Sequence, residues 1–189
     1  MTTAVTGIYR GRQDEPAPPV VPAGGWQVDP LRSTAAFTAR LAGRSIRGRL
    51  PLMGRAIVTP SIEDSTAQLI AMTDAVSTGN RVIDRLLTGP AFLDAGVFPE
   101  ISFQSEILVC VPNGWRAVGQ LAVKGSQYPM VAELDVDLRH ARSGGATMIL
   151  TSRWVLDSSW ITTQRVTALS RRVVMTCSVA LDHSAALEE

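Results

Sequence analysis

From Trp26 onward, apolar side chains recur at every second position, and this period constrains the fold more than any other feature of the chain. Ala35, Phe37 and Ala39 alternate with Thr34, Thr38 and Arg40. Ile101, Phe103 and Ile107 alternate with Ser102, Gln104 and Glu106, and Leu134, Val136 and Leu138 with Glu133, Asp135 and Asp137. Successive side chains of a strand point to opposite faces, so the pattern calls for strands wet on one side and buried on the other. Turn residues fall between the runs, at Pro60 and Ser61, at Pro112 to Gly114 and at Ser143 to Gly145. Many short strands divided by such turns make a sandwich or a barrel. The 189 residues fit one all-β domain, and a 46% hydrophobic content supplies a sizeable core.

Two stretches break the period. Up to Gly24 and Gly25 the chain carries Pro16, Pro18, Pro19 and Pro22. Proline donates no ladder hydrogen bond, so residues 1–24 read as an arm outside the domain, with the domain over 25–183 and a short tail at 184–189. Between Thr78 and Asp94 the spacing turns helical. Asn80 or Thr78 is placed to cap a first turn through Arg81, Asp84 and Leu87, and Thr88 and Pro90 to start a second. Val82, Leu86, Phe92 and Leu93 are expected to face the sheet.

Several function classes are disfavoured. A formal net charge of +1 gives no general attraction for nucleic acid, and the arginine-rich stretch from Arg32 to Arg55 lacks the series of interleaved aromatic residues that would stack on bases. Residues 1–25 lack the continuous apolar run of a secretory signal, and no segment approaches the roughly 18 apolar residues of a membrane span. Cys110 and Cys177 read as two reduced, buried thiols rather than a bridge. The expected location is cytoplasmic. His140 and His183 are the only histidines, and neither stands at metal-ligand spacing from a cysteine. No nucleophile elbow, Walker loop or dinucleotide fingerprint is present, and Asp135 and Asp137 share the wet face of a strand. No catalytic residue, no metal site and no enzymatic activity are expected.

An ordered set of motifs points to a family. Trp26, Asp29 and Ser33 stand before the first long strand, followed by Phe37 and by Arg47 and Gly48. Thr78, Gly79 and Asn80 precede Asp84 and Leu87. Phe92 and Asp94 lead into Phe98, Pro99, Ile101, Phe103 and Ser105, and then Gly119, Leu121, Val123 and Gly125. This series resembles the YceI-like family continuously from Trp26 to Val136 and loosely beyond. The chain departs from it at Arg32, Leu41, Ile83 and Leu86, where polar family residues, mostly histidines, are commonly found. The resemblance implies a closed antiparallel eight-stranded lipocalin-like barrel with short helical turns near residues 80–95. It implies a polyisoprenoid in an internal channel, Trp26 plugging one end, and a homodimer.

Such a barrel is just wide enough for side chains or for one small ligand. Small residues at Ala35, Ala39, Ala67, Ala71, Ala117, Gly119 and Ala132 leave room for a slender chain if they point inward, although the same residues fit ordinary core packing. The expected ligand contacts are Phe37, Ala39, Leu69, Ala71, Phe92, Phe98, Phe103, Ala117, Gly119, Leu121, Leu134 and Trp154. No cofactor is expected beyond a bound isoprenoid lipid or isoprenoid quinone. Between Pro30 and Ile62 the chain carries six arginines and no acidic residue. Guanidinium groups suit phosphate, so Arg44 and Arg47, with Arg81, are candidates for a diphosphate head group or a transient membrane-surface contact, as well as for a plain solvated surface. The expected function is to bind, store or carry a long isoprenoid-type lipid. The alternative is a structural or interaction protein whose barrel is filled by its own side chains.

Overall fold

A computed structural model describes residues 20–112, 114–140, 145–162 and 169–184. The expected arm up to residue 19, the turn residues at 113 and 143–144 and the tail from 185 lie outside these. The described chain is mostly strand: β1 (Gly24–Val28), β2 (Thr34–Leu41), β3 (Arg44–Val58), β4 (Thr66–Met72), β5 (Glu100–Val111), β6 (Gly114–Val123), β7 (Ser126–His140), β8 (Ala146–Asp157) and β9 (Arg172–Ser184). One helix, α1 (Arg81–Thr88), lies between β4 and β5.

Every pairing is antiparallel, and β3 pairs with both β2 and β4, so the sheet closes into a barrel of eight staves. One stave is made of two strands. β1 and β2 both lie between β3 and β9, β1 at one end and β2 at the other. Val28 pairs with Leu181 and Thr34 with Ser178, so the stave carries extra residues at Asp29 to Ser33. Polar side chains stitch this break. The Ser33 hydroxyl accepts from the Ala180 N–H at 2.9 Å, and the Asp29 N–H donates to the Ala180 carbonyl at 2.9 Å. Arg32 bridges Asp29 and Asp182, its terminal nitrogen 2.7 and 2.6 Å from the two Asp182 oxygens. Thr147 also donates to Asp182.

The alternation read from the sequence sets the inward face. On β3, Ile46, Leu50, Leu52, Ala56 and Val58 are buried while Arg47, Arg49, Met53 and Ile57 are exposed. On β5 the parity changes midway. Ser105 pairs with Gly119 but Ile107 pairs with Val118, a β-bulge that inserts one residue. Leu108 is therefore buried and Ile107 exposed, the reverse of strict alternation through Ile107. The bulged Ser105 hydroxyl accepts from the Ala67 N–H at 2.7 Å. Gly119 permits this geometry, because a Cβ there would lie 2.1 Å from the Gln104 carbonyl oxygen.

The segment from Thr73 to Pro99 leaves the sheet and covers the barrel end where β2, β4, β6 and β8 finish. Asn80 is the helix cap, its side-chain oxygen accepting from the Val82 and Ile83 N–H groups. The Asp84 carboxylate accepts from both the N–H and the hydroxyl of Thr78 at 2.6 Å. These anchors fix the helix so that Ile83 and Leu87 face the barrel. Val82 and Leu86, expected to do so, are instead 78% and 44% exposed. Past the Gly89 cap, residues 90–97 form hydrogen-bonded turns around Phe92 and Leu93 rather than a second helix. Lys124 donates to the Phe92 carbonyl, and Thr73 donates to that of Phe98.

Candidate functional site

The barrel interior contains an elongated apolar space in two parts. The larger cavity, about 120 Å³, occupies the middle of the barrel, and a smaller one of about 60 Å³ lies under the α1 segment. Leu50, Ile101, Leu156 and Met175 line both, so these four side chains form the constriction between them.

The larger cavity exists because small residues meet small residues across neighbouring strands. Ala56 pairs with Ala67 on β3 and β4, and Ala117 with Ala132 on β6 and β7. Each pair leaves a shallow place in the wall where larger side chains would have met. Ala35 and Ala71 add two more such places. Around them Leu69, Phe103, Leu121, Leu134 and Trp154 complete the wall. The smaller cavity is roofed by Leu87, Phe92 and Leu93 and walled by Phe37, Val76 and Val173. The Phe37 ring lies over Gly48, its directly opposed partner, where any Cβ would collide with it.

Of the residues singled out in the sequence, Leu69, Ala71, Phe103, Ala117, Leu121, Leu134 and Trp154 thus line the larger cavity, and Phe37 and Phe92 the smaller. Three lie elsewhere. Ala39 is buried on β2 but lines neither space. Gly119 serves the β5 bulge. Phe98 packs 3.4 Å from the Cβ position of Gly125, tying the lid to the β6–β7 turn. Arg44, Arg47 and Arg81 are exposed at the α1 end. The wall also has members that sequence reasoning missed: Leu52, Met130, Met148, Leu150, Met175, Val179 and Leu181. Their signal was available, since Met148, Leu150, Trp154 and Leu156 share one parity along β8.

Polar groups on this wall are few. Ser152 and Cys177 are directly opposed on β8 and β9. Burial pushes the Cys177 thiol up, while hydrogen bonds from Trp154 and Ser152 act in the opposite sense. Both cysteines are free, and Cys110, expected to be buried, is exposed at the end of β5. Among the described residues no three His, Cys, Asp or Glu side chains gather to hold a metal. Asp137 is ion-paired with Arg139 on the outer surface at 2.8 Å.

Trp26 occupies the end opposite α1. It faces inward beside Ala56, is 1% exposed, and its indole N–H donates to the Pro22 carbonyl at 3.1 Å. His183 packs edge-on against it with ring centroids 4.9 Å apart. Trp160 lies near the α1 end, stacked on Tyr128 at 4.2 Å.

Known structures share this architecture. BcnA of Burkholderia cenocepacia superposes with a TM-score of 0.69 at 15% identity, covering 81% of this chain and 98% of BcnA. The YceI protein of Campylobacter jejuni gives 0.66 at 15% identity, over 74% and 85% of the two chains. A polyisoprenoid-binding domain from Saccharophagus degradans gives 0.64 at 12% identity, over 84% and 98%. No curated protein matches the sequence significantly. The family model of the YceI-like domain matches residues 26–181, and with the closed barrel and its lined interior in place, the chain belongs to the YceI-like family.

Proposed function

We propose that the barrel binds one long, slender lipid of isoprenoid type and that the protein stores or carries it rather than transforming it. The observation that carries this reading is the pair of apolar cavities in line, separated only by Leu50, Ile101, Leu156 and Met175. A dry apolar void of about 150 Å³ already takes up benzene or xenon. Two voids of about 120 and 60 Å³ end to end favour an extended chain over a compact ligand. Met130, Met148 and Met175 are unbranched and adaptable, so the wall yields to a chain threaded past them. Each Å² of apolar surface removed from water contributes about 25 cal/mol, so a long chain needs few polar contacts to be held. The likeness to the Saccharophagus polyisoprenoid-binding domain supports the same ligand class. An isoprenoid quinone fits this class, its ring lying toward Ser152 or toward the exposed arginines at the α1 end.

Native mass spectrometry of protein purified from its host tests the reading. A co-purified lipid with the mass of an isoprenoid is the expected result. An empty species that also takes up no isoprenoid on incubation would overturn it in favour of a barrel filled by its own side chains.

A further inference from the structure

We propose that the α1 end of the barrel docks on an anionic lipid bilayer, with Val82, Leu86 and Val97 entering the interface and arginines around them meeting the headgroups. The proposal goes beyond the lipid-binding reading: that reading concerns what lies inside the barrel, and docking concerns the outer face of its lid.

Three stripes run side by side along α1, each made of residues four apart. Ile83 and Leu87 pack against the core, Val82 and Leu86 face solvent, and Arg81 and Arg85 form an exposed basic stripe beside them. Burial of the apolar face alone would explain Ile83 and Leu87 but leaves Val82 and Leu86 in water. Val97, on the turns that follow, is 65% exposed. A surface with apolar side chains at its tip and arginines at its flank is the arrangement of segments that lie in a bilayer interface, where two weak signals combine.

Charge along the barrel axis agrees. The β2–β3 hairpin brings Arg40, Arg44 and Arg47 to the α1 end, exposed like Arg81 and Arg85. Two of the acids there are already engaged, Asp84 with Thr78 and Asp157 with Arg171, which leaves Asp74, Asp94 and Glu100 against the basic set. At the opposite end Asp137 is engaged by Arg139, and the exposed Glu63, Asp64 and Asp135 outnumber the exposed Arg55. A barrel polarised in this way presents its basic end to an anionic surface. Its lid then faces the phase from which an apolar ligand comes, with the smaller cavity directly beneath.

Vesicle flotation tests this, with phosphatidylcholine alone and phosphatidylcholine mixed with phosphatidylglycerol. Binding to the mixed vesicles that weakens as salt rises is the expected result. The double variant V82S/L86Q should bind roughly tenfold more weakly or worse, since it removes two apolar contacts without changing charge. R81Q/R85Q should weaken binding several-fold and flatten the salt dependence, while Glu133→Gln at the other end leaves it unchanged. All these positions are exposed, and unchanged melting temperatures confirm that folding is intact. Binding to neither vesicle, or equal binding to both, overturns the proposal. So does a concentration-dependent dimer that V82S/L86Q abolishes without any vesicle binding, which would make the face a contact between two copies. Lipid co-purified with a protein that ignores vesicles would defeat docking and leave the carrier reading standing. Docking by a protein that never retains lipid would do the reverse.

Discussion

The two ends of this barrel are closed by different means. At the Trp26 end, closure comes from the sheet itself. β1 completes a stave between β3 and β9, a fully buried indole fills the inside, and the break in that stave is stitched by Ser33, Asp29 and Arg32. At the α1 end, closure comes from a segment outside the sheet. It is anchored by polar contacts at Thr78, Lys124 and Phe98, and of its side chains it buries Thr73, Val76, Leu87, Phe92 and Leu93 fully. Backbone ladders open cooperatively with the whole domain, whereas a segment with few buried side chains opens locally at lower cost. Under the proposed function, the difference assigns stability to one end and ligand passage to the other.

The sharpest way to break that assignment is to empty the closed end. Trp26→Ala should cost about 3–5 kcal/mol of global stability, the range for a buried aromatic cut back to alanine, read by urea denaturation. A loss below about 1 kcal/mol would show that Trp26 is not what holds this end. The matching change in the lid is Leu87→Ala. It removes about 2 kcal/mol or more of local packing, so amide exchange should speed up over residues 81–98 while the strands beneath Trp26 stay protected. Uniform acceleration across the barrel would make the lid part of the global unit.

Between the two ends, Ala117→Phe asks whether the middle is open. In a barrel already full, the ring would be overpacked at about 1–3 kcal/mol. Against the cavity that Ala117 lines, it should cost less than about 1 kcal/mol and displace retained lipid. Loss of stability with no change in lipid would sink the open channel. Gly119→Phe, an obvious companion by strand parity, tests something else, because even a Cβ there meets the Gln104 carbonyl.

That contrast marks what was legible in the sequence. Alternation is a local property, so the strands and most cavity-lining residues of β4, β6 and β7 follow from it directly, and the family motifs supply barrel closure. A bulge is a property of two strands together. Nothing in the run from Ile101 to Ile107 announces that Ser105 will turn to bind the Ala67 N–H and reverse the parity beyond it. The lid was misread for a related reason. Val82 and Leu86 are as apolar as Ile83 and Leu87, and only the Asp84–Thr78 anchor decides which stripe turns inward.

The smallest expected effect concerns pH, and it again separates the two ends. Hydrogen bonds from Arg32, together with the Leu31 N–H on Asp29 and the Thr147 hydroxyl on Asp182, hold both carboxyls below the usual range. At the α1 end, Asp157 is lowered chiefly by Ser159 and then by Arg171. A carboxyl whose folded pKa is depressed contributes stability that is present above its unfolded pKa and is lost as pH falls through the folded value. The melting temperature should therefore decline from about pH 5 to pH 2. Arg32→Gln should make that decline shallower without abolishing it, because the Leu31, Thr147 and Ser159 donors remain. The two curves should converge at the acid limit, where Asp29 and Asp182 are protonated and the bridge has no anion to hold. Arg32 is 47% exposed, so the gap at neutral pH should be small and should close further with salt. A gap that instead widened toward acid would mean that Arg32 supports the broken stave through packing, and the closed end would owe its strength to Trp26 and the ladder alone.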